Sequence, residues 1–148
     1  LNHLSQTLHR LYQKRLARGY WRDRGRPILI NNWEATCFEF TEEKLLEIAR
    51  TAKETGVELF VLDDGWFGER SNEHAGLGDW FANTKRLPQG ITGLAKKIGG
   101  IGMKFGLWFE PEMVNKDSDL YRQHPDWIIA APERRQSHGR FQYVLDFS

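Results

Sequence analysis

The sequence has 148 residues, with 21 Lys and Arg against 20 Asp and Glu and a net charge of +1. That balance gives no electrostatic basis for a nucleic-acid or membrane-surface partner, and no run approaches the roughly 18 apolar residues of a membrane helix. The length suits one domain but falls short of the about 250 residues of a complete (β/α)8 barrel. Cys37 is the only cysteine, so no internal disulfide can form, and a reducing, cytoplasmic setting is the expectation. Leu1-Asn2-His3-Leu4 has neither a basic n-region nor an apolar h-region, so no signal peptide is expected. The absent initiator methionine suggests a segment of a longer chain. Six Trp, nine Phe and four Tyr suit either a core or a surface that stacks flat apolar ligand faces.

No repeat, low-complexity tract or Pro/Gly/Ser linker divides the chain. Over residues 1–18, Leu4, Leu8, Leu11 and Tyr12 recur at helical spacing, and Gly19 ends the segment. A charged stretch from Arg22 to Arg26 leads to Pro27-Ile28-Leu29-Ile30-Asn31-Asn32-Trp33, a short apolar run that suits a buried parallel strand. Thr41 can cap a helix carrying Leu45, Ile48, Ala49 and Ala52 on one face, with Gly56 at its C-terminal stop. Val57 to Leu62 predicts a second strand, followed by a loop over residues 65–90 and a helix near 91–98. Gly99, Gly100 and Gly102 follow that helix and precede a strand, the reverse of a dinucleotide fingerprint, so they read as a helix stop. Lys104 to Phe109 predicts a third strand, Asp117 to Gln123 a helical turn, and Gln142 to Leu145 a fourth strand. Strands alternating with helices predict a parallel α/β fold, although periodicity does not separate an open sheet from half a barrel.

Each predicted strand ends in polar or aromatic residues. The first delivers Asn31, Asn32, Trp33 and Glu34, and the second Asp63, Asp64 and Trp66. The third delivers Trp108, Glu110 and Glu112, and the fourth Asp146. In a parallel barrel these ends share the face where active sites form. Carboxylates beside indoles suit a sugar: each carboxylate accepts hydroxyl hydrogens in charge-assisted bonds, and an indole covers a pyranose C–H face. Asp63 and Asp64 reach neighbouring hydroxyls only if the strand has ended, because pleating sends successive side chains to opposite faces. Gly65 permits that turn, while the alternative is that Asp-Asp-Gly is a turn and no more. Singly, Trp33 and Trp108 read as core aromatics. Glu110-Pro111-Glu112 reads as structural support. Arg140 either neutralises a carboxylate at the site or lies on an exposed hairpin-like loop. Glu73, His74 and Asp79 match no zinc or EF-hand spacing, so no metal is assigned and no cofactor expected.

The strings NNWEA at 31–35, LDDGWFG at 62–68, WFEPEMV at 108–114 and GRFQYVLDFS at 139–148, with RPILI just before the first and HPDW before the last, resemble the successive motifs of α-galactosidases of glycoside hydrolase family 36. The resemblance covers nearly the whole chain from Leu4 onward. It implies the first half, about four βα units, of a (β/α)8 TIM barrel over residues 27–148, with residues 1–26 a lead-in helix and linker from a preceding domain. It further implies that Asp63 and Asp64 bind hydroxyls of a terminal galactose, that Trp33 and Trp108 line the same subsite and that Arg140 lies close by. Such enzymes retain anomeric configuration, using one carboxylate as nucleophile and another as acid and then base. The family's nucleophile stands in a later Lys-Trp-Asp motif and its acid/base beyond that. Neither occurs in these residues, so no catalytic carboxylate is assigned here and Asp146 is not the nucleophile.

The expected activity is hydrolysis of terminal α-D-galactose from α-galactosides, with the isolated chain inactive and the full-length enzyme a homo-oligomer. An α-N-acetylgalactosaminidase on the same scaffold and a non-catalytic sugar-binding or scaffold piece are the alternatives. A nucleotide-binding doubly wound domain ranks below them, because no phosphate-binding glycine loop follows the first strand.

Overall fold

The computed structural model describes residues 1–134, 136 and 138–148. Helix α1 (Asn2–Arg15) buries none of its residues, and a 3-10 turn (Gly19–Trp21) follows it. Strand β1 (Leu29–Asn31) runs into a one-turn helix, α2 (Trp33–Thr36). Helix α3 (Glu42–Glu54) starts where Thr41 accepts a hydrogen bond from the Lys44 amide at 3.3 Å, as a capping threonine should. Strand β2 (Leu59–Leu62), helix α4 (Gly90–Gly100) and strand β3 (Lys104–Leu107) complete the larger layer.

Strands β1, β2 and β3 form a parallel sheet in that order, with Ile30, Phe60 and Phe105 in one row and Asn31, Val61 and Gly106 in another. The two rows face opposite ways. Ile30, Phe60, Leu62 and Phe105 join a cluster with Leu45, Ala49 and Ala52 of α3 and Leu94 and Ile98 of α4. Phe60 and Leu62 are wholly buried there, and burial of each such side chain stabilises the fold by about 1.5–3 kcal/mol. Among the described residues the other face carries no helix layer, and Leu29 on it is 52% exposed. Gly106 lies on that face, where a Cβ would come within 3.3 Å of Val61 Cγ2.

The fourth predicted strand departs from the expectation of four adjacent parallel strands. Strand β5 (Gln142–Val144) pairs antiparallel with β4 (Met113–Asn115), in a separate two-stranded sheet. Its burial decides this: Val114, Ile128 and Leu145 form their own small cluster, with Leu120, Tyr121 and Tyr143 packed against it. The short helix α5 (Asp119–Gln123) and a 3-10 turn (Pro125–Trp127) cover this second sheet. The predicted first strand is also shorter than expected, because Asn32 and Trp33 already belong to the α2 turn.

Among the described residues, the outer edges of β1 and β3 have no strand partner. Unpaired edges template association, and Leu29 of β1 is exposed, as are Leu4 and Leu11 of α1. The isolated 148-residue chain should therefore self-associate, with a sedimentation coefficient that rises with concentration. A concentration-independent monomer would contradict this.

Candidate active site

The C-terminal edge of the parallel sheet holds the first group of sequence-predicted residues together. Asn31 donates through Nδ2 to Asp63 Oδ2, and Asn32 Oδ1 accepts from the Asp63 amide at 2.8 Å. Asp63 Oδ1 accepts from the Asp64 amide at 2.7 Å. Two adjacent strand ends thus fix the Asp63 carboxylate, which stays half-buried rather than sealed. Gly65 makes the turn after it at φ 95, and a Cβ there would stand 3.1 Å from Phe38 Cδ1. That backbone region disfavours any residue with a side chain.

Asp64 points elsewhere. Its carboxylate is only 7% exposed and takes Arg70 in a forked geometry, from Nε at 2.9 Å to Oδ1 and from Nη2 at 2.7 Å to Oδ2. Arg70, 1% exposed, also donates through Nη1 to Asn115 Oδ1 at 2.8 Å and to the Ala75 carbonyl at 3.1 Å. Asn115 in turn accepts from the Leu77 amide at 3.0 Å and donates to the carbonyls of Glu73 at 3.1 Å and Phe141 at 2.9 Å. One buried network therefore joins the end of β2, the 65–89 loop, β4 and the approach to β5. A carboxylate offers about four acceptor positions, so this pairing leaves Asp64 Oδ1 capacity for one further donor.

The two indoles flank these acids. Trp33, half-buried on α2, meets Phe38 edge-to-face at 5.0 Å, and the Phe38 ring faces the Arg70 guanidinium at 5.5 Å. Trp108 follows β3, and its amide donates to the Leu62 carbonyl at 2.9 Å, so it stands next to Asp63 in space. Its ring packs at 6.4 Å on Phe67 and 6.2 Å from Trp80, while its carbonyl accepts Trp66 Nε1–H at 3.0 Å.

Arg140 lies exposed on a tight turn. Burial lifts the Glu110 carboxyl above its ordinary range. Arg140 opposes that shift, Glu112 adds to it, and a 3.1 Å hydrogen bond from Gln142 Nε2 draws it back down. Asp146 does not join the group. It is exposed, and its carboxylate accepts from the Ser148 amide at 2.9 Å, on the far side of the small cluster beside Trp127. This follows from β5 leaving the parallel sheet. Asp79 caps α5, accepting from the Asp119 and Leu120 amides at 3.0 Å each. Sequence reasoning missed Arg70, Asn115 and Gln142. No periodicity marks them, since Arg70 sits in a polar loop and Asn115 and Gln142 in a sheet whose first strand was not foreseen.

The parallel α/β sheet thus gathers the carboxylates of Asp63 and Asp64 at its C-terminal edge, with Trp108 directly after the neighbouring strand. The chain belongs to the melibiase family, which matches residues 1–148. It is 62% identical to α-galactosidase AgaA of Geobacillus stearothermophilus over all of its length and 20% of that protein's. A doubly substituted form of AgaA, a glycoside hydrolase family 36 enzyme crystallised with raffinose, superimposes with a TM-score of 0.91, covering 98% of this chain and 20% of that one. The α-galactosidase of Thermus thermophilus, solved with p-nitrophenyl α-D-galactopyranoside, superimposes with a TM-score of 0.71 at 33% identity, over 91% of this chain and 27% of that one. The chain spans about a fifth of the length of the relatives it matches.

The network makes a stability prediction. Removing one partner of a buried ion pair leaves a desolvated charge and costs about 3–5 kcal/mol, whereas replacing both partners with apolar groups costs far less. Arg70→Met should therefore lower the unfolding temperature sharply, and Arg70→Met combined with Asp64→Leu should recover part of the loss. Scanning calorimetry of the three proteins checks the order.

Proposed function

We propose that the protein carrying this chain hydrolyses terminal non-reducing α-D-galactose from α-galactosides with retention, and that this chain supplies the galactose-binding part of the site. In that arrangement residues 27–148 belong to the early part of a (β/α)8 barrel, with β1, β2 and β3 as neighbouring barrel strands and the β4–β5 pair outside that sheet. The one-sided helix layer over β1, β2 and β3 supports this, as does the opposite face, whose Leu29, Val61 and Gly106 suit the interior of a closed barrel. Residues 1–26 are the lead-in from a preceding domain, a reading supported by α1, which buries nothing. AgaA and the Thermus enzyme are α-galactosidases, solved with raffinose and with p-nitrophenyl α-D-galactopyranoside respectively.

The observation that carries the reading is the Asp63 carboxylate, held at the strand ends by Asn31 and the Asp64 amide and left half-buried. A fixed carboxylate accepts two sugar hydroxyls without first having to be ordered, and such charged bonds can tighten as the ring flattens toward the oxocarbenium-like transition state. Asp64 accepts a further hydroxyl through Oδ1, its position fixed by Arg70. Trp33 and Trp108 cover the apolar face of the ring, and Arg140 stands at its rim. The nucleophile and the acid/base belong to the remainder of the enzyme.

In the full-length protein, Asp63→Asn should raise KM for p-nitrophenyl α-galactoside and also lower kcat. A hydrogen bond to a charged group contributes about 1.5–3 kcal/mol, so kcat/KM should fall by about 10- to 150-fold. Unchanged kinetics would show that Asp63 only shapes the turn.

A further inference from the structure

Arg140 stands on a turn whose backbone is costly for the residues it contains. Gln142 N donates to the Gly139 carbonyl at 2.9 Å and Gly139 N to the Gln142 carbonyl at 3.2 Å, which leaves Arg140 and Phe141 as the central pair. Their φ angles are 50 and 65 degrees. Two positive φ angles match the twist of a hairpin, but Asn and Gly normally supply them, because a Cβ clashes there. Such strain persists only where the surroundings over-determine it, and it gathers at working sites.

The surroundings are identifiable. Gln142, 2% exposed, donates through Nε2 to Glu110 Oε2 at 3.1 Å, and Glu110 follows Trp108 by two residues at the end of β3. On the other side, Asn115 holds the Phe141 carbonyl at 2.9 Å and pairs with Gln142 across the small sheet. Arg140 is exposed, and the turn's backbone fixes where its side chain starts. The turn is thus pinned to the end of the parallel sheet by one side-chain contact and to the Arg70 network by another.

We propose that the Gln142–Glu110 hydrogen bond is a latch that positions Arg140 at the rim of the sugar pocket, making both latch members positioning residues that act through Arg140. This rests on the galactoside reading of the site. The latch links two sheets that share no strand, which explains why a buried glutamine and a half-buried glutamate face each other at the junction. It also explains why Arg140 occupies a conformation that glycine would adopt more readily.

A double-mutant cycle in the full-length enzyme, read with p-nitrophenyl α-galactoside, separates positioning from mere support. Arg140→Ala and Gln142→Leu should each lower kcat/KM about tenfold, and the double variant should be no slower than Arg140→Ala alone, because contacting residues couple and independent ones add. Gln142→Glu should be impaired, and adding Glu110→Gln should restore activity by rebuilding the bond with its polarity reversed. Should Gln142→Leu fail to fold, as judged by its melting curve, the Gln142→Glu and Glu110→Gln comparison decides alone. A further tenfold loss on adding Gln142→Leu to Arg140→Ala, full activity of Gln142→Leu, or no restoration by the swap would each overturn the latch while leaving the galactoside site standing. Full activity of Arg140→Ala, or no hydrolysis by the unsubstituted protein, would instead remove the site reading and the latch with it.

Discussion

The desolvated pair of Arg70 and Asp64 is the constraint from which the candidate site is built. Neither charge can be left alone at that depth, so each must be met by partners in fixed positions. Asp64 draws the guanidinium to the end of β2, and the guanidinium draws Asn115 and the Ala75 carbonyl to itself. Asn115 uses both ends of its amide to hold the 65–89 loop on one side and Phe141 on the other. Asp63, one residue before, is held instead by Asn31, by Asn32 and by the Asp64 amide. Of the two adjacent acids, Asp64 is the one tied into the buried network, while Asp63 is the more exposed.

The sheet shows a comparable division between its faces. The side turned toward α3 and α4 is close-packed, with Phe60, Leu62, Leu94 and Ile98 fully buried. The opposite side is half-covered, and its one side-chain-free position, Gly106, sits where Val61 leaves least room. Chemistry-bearing residues gather on neither face but at the end of the strands. There the backbone leaves the ladder, and its polar groups are answered by side chains such as Asn32 and by the amide of Trp108.

Much of this was legible in the sequence, for specific reasons. Thr41, the spacing of Leu45, Ala49 and Ala52, and Gly56 marked α3 well because capping and periodicity are local signals. The apolar runs before Asn31 and Asp63 marked strands whose two faces are both covered at least in part. The convergence of Asn31, Asp63 and Trp108 followed from parallel pairing alone. What the sequence hid were long-range choices. Strand β4 contains only Met113 and Val114 as apolar residues, and without it β5 read as the next parallel strand, which carried Asp146 to the wrong place. Arg70 gave no signal because a buried arginine differs from an exposed one only by its partners, and its partner Asn115 is 45 positions away.

That spacing has a consequence for how the chain reaches its native state. Closing a loop costs entropy that grows with its length, and Asp64 and Arg70 are only six positions apart, against 45 for Arg70 and Asn115. The ion pair can therefore form while the chain is still largely open, bending the start of the loop before any distant segment has arrived. Asn115 then meets a guanidinium already oriented, so docking of the second sheet becomes a late event on a prepared surface. Slow steps in assembly should belong to the joining of the two sheets, since local contacts precede distant ones where topology sets the rate.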